Sequence, residues 1–315
     1  MITLSDIMAA RERIAGRVHR TPMLSATRIG ERAGVKLWLK CELLQKTGSF
    51  KVRGALNAIG QLTDAERARG VVGVSAGNHA QALAWAARAA GTRCTVVMPQ
   101  AASQTKLDAT RGYGATVIQH EWGSAMFDKA RQLGDEHGYV FIHPFDNPHV
   151  VAGAGTTGVE ILEDLPDVDA IVVPVGGGGL LSGIAVAARS IKPSVKVFGV
   201  EPEGAQALRK SLDAGEVTPI DAPKTIADGL AAPMTTALPL EVAQRYVDDV
   251  LVVTDDEIAN AMGVILASAK LMAEPAGAAA VAALLTERLP IAAGSRVVCV
   301  LSGGNVDLSR LKELV

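Results

Sequence analysis

Short runs rich in Val, Ile and Leu alternate along the chain with longer Ala-rich stretches whose apolar positions recur every three or four residues. The short runs predict strands over 36–39, 71–74, 94–98, 116–118, 139–142, 170–175, 195–200, 250–253 and 297–301. Helical spacing fills most of the intervals. Repeated strand–helix units build a parallel sheet, so the chain is α/β. The elements of 69–147 can form a compact lobe of their own, and a glycine-rich passage, 152–158, is expected to open the next helical stretch. The expected division is a small mobile domain, 69–147, and a large domain made of 1–68 and 148–315, with a parallel-sheet core in each lobe and a cleft between them. No repeat of 20–50 residues appears, and 276–285 is Ala-rich enough for a closely packed helix.

With 315 residues, 49% of them hydrophobic and 20% charged, the chain can bury one or two cores and is not disordered. Its net charge is −2, with Lys and Arg mixed among Asp and Glu, which excludes the basic stripe that a nucleic-acid partner requires. Met1 to Asp6 lacks a basic region followed by an apolar core, and no apolar run approaches the roughly 20 residues of a membrane span. A cytoplasmic protein with no membrane partner is expected. The odd set Cys41, Cys94 and Cys299 lacks metal-ligand spacing, and each lies in or beside an apolar strand, which predicts buried, reduced thiols.

Chemistry gathers where strands end. Ser75-Ala76-Gly77-Asn78-His79, Gly176-Gly177-Gly178-Gly179 and Ser302-Gly303-Gly304-Asn305 each follow an apolar strand and precede a predicted helix. In a parallel sheet all three open on the carboxyl edge, where ligands bind. The glycines let several backbone N–H groups approach one phosphate, helped by the following helix. A dinucleotide turn is the competing reading, and Glu201 imitates its acidic residue. However, the third glycine of G-x-G-x-x-G falls on Leu181 or Ser182 in either register.

Lys51 stands between Phe50 and Val52 at a predicted helix start. A lysine is ordinarily a solvated surface group. Partial burial, the helix N-terminus and neighbouring Arg53 would all disfavour its ammonium form, which suits a nucleophile and base near neutral pH. A reactive amine beside a phosphate cradle points to a carbonyl cofactor carrying phosphate.

Ser49-Phe50-Lys51-Val52-Arg53-Gly54, the Ser75–His79 loop, the Gly176–Gly179 loop and the Ser302–Asn305 loop resemble, in order, the motifs of fold-type II pyridoxal-phosphate enzymes, the tryptophan synthase β-like fold. The resemblance spans nearly the whole chain. It is closest to the serine/threonine dehydratases (threonine ammonia-lyases) and serine racemases, through His19-Arg20-Thr21-Pro22, Gln45-Lys46-Thr47-Gly48 and Glu274-Pro275-Ala276-Gly277. It implies pyridoxal 5′-phosphate as cofactor, held by the large domain, with Lys51 carrying it as a Schiff base and Phe50 packing on its ring. Asn78 would hydrogen-bond the ring 3-oxygen, Gly176, Gly177, Gly178 and Gly179 would take the phosphate, and Ser302 would meet the pyridine nitrogen. For Ser302 a simple helix N-cap is the plainer reading, and the two are compatible. Ser75, Ala76, Gly77 and His79 would form the substrate-carboxylate loop, with His79 ordering the loop and Lys51 serving as base.

The implied reaction is dehydration and deamination of L-threonine or L-serine to 2-oxobutyrate or pyruvate plus ammonia. Serine racemases that use a second base carry serine where this chain has Ala76, which disfavours racemisation. The family's divalent-cation positions fall here on Glu201, Ala205 and Ala207, so the last oxygen ligand is missing and Glu201 reads as a strand-end hydrogen-bonding group. The chain ends soon after the Ser302 loop, and the expectation is a catabolic enzyme without isoleucine control. A homodimer or homotetramer is implied by the resemblance. Serine racemisation, dehydration of another β-hydroxy amino acid such as 3-hydroxyaspartate, β-replacement and a non-enzymatic binding role remain open, and no residue distinguishes threonine from serine.

Overall fold

A computed structural model describes residues 1–75, 77–121 and 123–315. Its strands are β1 (Met23–Ser25), β2 (Lys36–Lys40), β3 (Val71–Val74), β4 (Cys94–Pro99), β5 (Thr116–His120), β6 (Val140–Phe141), β7 (Ala170–Pro174), β8 (Lys196–Pro202), β9 (Asp249–Val253) and β10 (Arg296–Val300). They form a six-stranded sheet in the order β1-β2-β10-β7-β8-β9 and a four-stranded sheet in the order β5-β4-β3-β6, one in each of two lobes. Each pairing is parallel except β1 with β2. All nine predicted strands are present. The tenth, β1, was missed because only Met23 of its three residues is even part-buried, so it carries no period; its register is supplied by β2, from Met23 opposite Lys40 to Ser25 opposite Trp38.

Side chains alternate across the six-stranded sheet and divide between two cores. Ala170, Val172, Val297 and Cys299 face one, beneath the helix Pro275–Leu285, buried from Pro275 to Leu284. Ile171, Val173, Val298 and Val300 face the other, beneath the helices Pro148–Asp164 and Gly179–Ile191. The three cysteines are free and buried.

The glycine-rich passage 152–158 does not open a helix. That helix begins at Pro148, with the Asn147 side chain accepting from His149 N and Val150 N, and the glycines lie within it at close helix–helix contacts. A Cβ on Gly153 would lie 2.6 Å from Arg53 O, and one on Gly155 would lie 2.8 Å from Gly183 O. Gly54 and Gly183 answer from the facing helices, where a Cβ would lie 2.6 Å from Val150 O and 2.5 Å from Val151 O respectively. The helix Lys51–Gly60 and the helix Gly179–Ile191 are thereby mounted on one support.

Beneath Lys51–Gly60 lies a buried charge cluster. Arg53 donates to Glu42 Oε1 and Oε2 at 2.8 Å and to Glu160 Oε1 at 2.7 Å, and Lys40 Nζ donates to Glu160 Oε2 at 2.6 Å and to Thr21 O at 2.7 Å. Thr21 Oγ1 also donates to Glu42, and Gln45 brackets the backbone of His19 from both sides. Two cations meet two carboxylates, so the cluster is neutral, and it ties the His19–Pro22 segment to β2, the lysine-bearing helix and Pro148–Asp164. Replacing Arg53 by Met is expected to leave Glu42 with only the Thr21 hydroxyl and Glu160 with only Lys40, stranding buried negative charge at a cost of about 3–5 kcal/mol. Denaturant unfolding measures it, and a loss below about 1 kcal/mol would mark the cluster as no stronger than a surface pair.

Candidate active site

The carboxyl ends of β3, β6, β7 and β10 converge on one cleft, lined by Ser75, Gly77, Asn78 and His79 after β3, Pro144 and Phe145 after β6, Gly176 to Gly179 after β7, and Ser302 after β10. Phe50, Lys51, Lys106, Asp228 and Glu274 also line it. The three sequence loops thus meet, as their place on the sheet edge requires. Ala76 lies outside the described residues.

Lys51 is the first residue of its helix, and the strand-like pairing of Ser49 with Gly303, together with Phe50 N donating to Ser302 O at 3.1 Å, ties the lysine to the β10 loop. Its Nζ donates to Pro144 O at 3.2 Å and lies 5.1 Å from the centre of the Phe50 ring. Among the described residues no carboxylate pairs with it. Removal from water lowers its pKa to about 8, against a smaller opposing pull from Glu274. The expected contribution of Arg53 is absent. Residues two apart on a helix point in different directions, and the Arg53 guanidinium is fully engaged by Glu42 and Glu160 on the far side.

The four glycines form a cradle. Gly178 sits at φ +96°, open to glycine without strain, and immediately precedes the helix Gly179–Ile191. Among the described residues no acceptor meets the N–H groups of Gly177, Gly178 or Gly179. Phe145 lies against Gly177 and Gly179 so closely that a Cβ at either would meet its ring or backbone. Unspent donors at a helix N-terminus fit a phosphate.

Ser302 is 5% exposed, and its hydroxyl donates to Ala276 O at 3.4 Å. It does not cap a helix: the next one, Leu308–Leu314, starts after Asp307. Asn78 opens the helix Asn78–Ala89 and donates through Nδ2 to Glu274 Oε1 at 2.6 Å. In the Ser75 loop, the Gly77 N–H is already taken by Ser75 Oγ at 3.0 Å, so it is not an open anion donor as the sequence suggested. The N–H groups that open the helix and the Ser75 hydroxyl hydrogen are left for a ligand. His79 is buried, with Nε2 bonded to Ile142 O at 3.2 Å, and burial beside Lys51 pushes its pKa down to about 3, so the ring stays neutral.

Glu274, Asp228 and Lys106 were not assigned from sequence as site residues. Burial, with Asp228 nearby, pushes Glu274 up to about 8. Its signal was a carboxylate placed among apolar residues directly before Pro275. Lys106, on the helix Gln104–Gly112, forms an ion pair with Asp228 that joins the two lobes at the cleft, and a lone lysine in the first turn of a helix gives no such warning in sequence. Glu201 accepts from Leu208 N at 2.9 Å and Arg209 N at 2.8 Å, capping the helix Ala207–Ala214.

A neutralisable lysine, a glycine cradle for phosphate and a polar pair for a ring, set in the cleft of a two-lobed α/β fold, define an enzyme that holds a phosphorylated carbonyl cofactor. The chain belongs to the pyridoxal-phosphate dependent enzymes, whose family model matches residues 14–303. It is 45% identical to an L-threonine ammonia-lyase of Thermotoga maritima over 100% of this chain and 78% of that protein. It is 42% identical to the catabolic L-threonine dehydratase TdcB of Escherichia coli strain K12, over 99% of this chain and 96% of that one. The structure of maize serine racemase superposes with a TM-score of 0.95 at 39% identity, covering 99% of this chain and 96% of that one.

In the cofactor-free enzyme, the Lys51 amine is expected to react with an acylating reagent along a pH profile whose midpoint lies near 8, below the ordinary lysine value of 10.5. The unfolded chain holds the proton between those two values, so the stability cost of burying Lys51 is fully present below 8 and fades as pH rises to 10.5. Glu274 acts oppositely: its raised pKa contributes stability below 4.5 that is lost as pH rises through about 8. A labelling midpoint near 10.5 would show that the amine is solvated and the site misread.

Proposed function

We propose that this chain is an ammonia-lyase that converts L-threonine, L-serine or both to 2-oxobutyrate or pyruvate plus ammonia. The observation that carries the reading is the Lys51 amine, without a carboxylate partner among the described residues and with its pKa lowered to about 8, in one cleft with the glycine cradle and Ser302. Bound pyridoxal phosphate supplies a carbonyl for the substrate amine and a conjugated ring that stores the electron pair left at Cα.

The protein's own groups do the rest. The N–H groups of Gly176 to Gly179 would hold the phosphate, Phe50 would cover one ring face, and Asn78 would donate to the ring 3-oxygen. Ser302, whose hydroxyl makes only a long bond to Ala276 O, would turn it to the pyridine nitrogen. A neutral hydroxyl there does not force full ring protonation, so less negative charge is stored and expulsion of a β-substituent is favoured. Lys51, whose pKa is lowered to about 8, has its neutral amine within reach near physiological pH and takes the Cα proton. Ser75 and the N–H groups that open the helix Asn78–Ala89 hold the substrate carboxylate, while neutral His79 orders the loop against Ile142. The β-hydroxyl leaves as water, its added proton balancing the one taken from Cα, and the released enamine takes up water to give the oxo acid and ammonia.

The names of the Thermotoga and Escherichia relatives support this reading. The superposition on maize serine racemase favours a second reading, interconversion of serine enantiomers. Against it, position 76 is alanine, which transfers no proton. The small domain 69–147, mobile against 1–68 and 148–315, an assembly of two or four copies, a catabolic role and a cytoplasmic location belong to the same proposal. Among the described residues no helix is long and apolar enough to cross a membrane.

Purified enzyme given L-threonine is expected to form 2-oxobutyrate and ammonia in equal amounts, and Lys51→Ala to lose at least about 1,000-fold in kcat. A colourless wild type that takes up no cofactor, or a Lys51→Ala enzyme with near-normal turnover, would overturn the reading. Formation of D-serine from L-serine faster than pyruvate would establish the racemase instead.

A further inference from the structure

The Ser302–Asn305 loop contributes only its serine to the chemistry above, and Asn305 does not line the cleft. Its amide is nevertheless fully committed. Nδ2 donates to Thr47 O at 2.8 Å and to Asn78 Oδ1 at 2.8 Å, which uses both of its hydrogens. A backbone carbonyl only accepts, so the Thr47 end fixes which way round the Asn305 amide lies. Asn78 must then turn its oxygen toward Asn305 and its nitrogen away, where it donates to Glu274 Oε1. An amide nitrogen carries two hydrogens, and among the described residues Glu274 accepts the only hydrogen bond from this one. The second hydrogen is left over on a side chain that lines the cleft.

We propose that Asn305 is a positioning residue: the ordered series from the Thr47 carbonyl through Asn305 to Asn78 makes Asn78 offer a hydrogen, never a lone pair, to the ring oxygen of the bound cofactor. The inference rests on the cofactor assignment above and adds what sets the polarity of the contact. Glu274 cannot set it alone. Its carboxyl keeps a proton near neutral pH, so it can donate to an inverted Asn78 as readily as it accepts from the present one. Asn305 lacks that freedom, because inverting Asn78 would set N–H against N–H in a site whose Thr47 is 3% exposed. Gly48 admits the arrangement: it sits at φ +70°, and a Cβ there would run into the Asn305 side-chain oxygen. The series crosses between lobes, since Asn78 belongs to the helix that follows β3 and its partners to the loops around β10.

The test compares Asn305→Asp with Asn305→Ala in cofactor titrations of the full-length protein, reading both affinity and the visible absorbance band of the bound cofactor. Aspartate is nearly isosteric but only accepts, so it turns Asn78 round, and affinity is expected to fall roughly 10- to 100-fold, with the pH titration of the band displaced. Alanine removes the constraint without reversing it, and is expected to cost less. Glu274→Gln, which can still accept, is expected to stay within about threefold of wild type. A merely structural role would lower the thermal midpoint of both Asn305 variants and leave band and affinity untouched; that outcome overturns the proposal, as does a Glu274→Gln variant as impaired as Asn305→Asp. If Asn305→Asp does not fold, Asn305→Ala decides: wild-type affinity with an unchanged pH titration of the band overturns the proposal, and a weakened, displaced one supports it. Wild-type protein that binds no cofactor would overturn the cofactor assignment itself, a result distinct from each of these.

Discussion

A cation taken out of water loses several kcal/mol of hydration unless something replaces it, and the helix that begins at Lys51 handles two cations in opposite ways. Arg53 is given everything: two carboxylates, a threonine hydroxyl and a backbone carbonyl, so its charge persists in the interior. Lys51 is given almost nothing beyond Pro144 O, and so releases its proton easily. The first arrangement anchors the helix so firmly that the second is tolerated at its end. An amine is made reactive by withholding partners, and the withholding is possible only where the backbone is held by something else.

The same economy organises the cleft. Its floor consists of backbone: glycine N–H groups, carbonyls at the ends of β6 and β10, and the opening turns of helices. Side chains that could neutralise Lys51 are kept away or kept protonated, as Glu274 is. Among its uncharged polar side chains, Asn78 and Ser302 are hydrogen-bonding groups suited to a flat ring. Charge in the cleft is confined largely to its mouth, where Lys106 and Asp228 satisfy one another across the lobes.

Much of this was legible in the sequence because it is local. Strands β2 to β10 announce themselves by apolar runs, and three loops with Gly, Ser or Asn at strand ends mark a carboxyl edge whatever the sheet order. What the sequence hid depends on contacts between distant segments. The glycines of 152–158 resemble a loop until the facing Gly54 and Gly183 are known. Arg53 looks like a neighbour of the Lys51 amine until Glu42 and Glu160 are seen to claim it. Glu274 lies 196 residues from Asn78, and nothing in either neighbourhood foretells their bond. Strand β1 draws its form wholly from its partner.

The paired glycines along Pro148–Asp164 carry one more consequence. They bolt the lysine helix and the helix behind the phosphate cradle to a single rigid strut, with backbones too close for any side chain to act as a cushion. The spacing between Lys51 and the Gly176–Gly179 loop is therefore a property of the large lobe's skeleton. Any displacement of the other lobe would leave that gauge unchanged, so the distance is set independently of the sheet formed by β3 to β6.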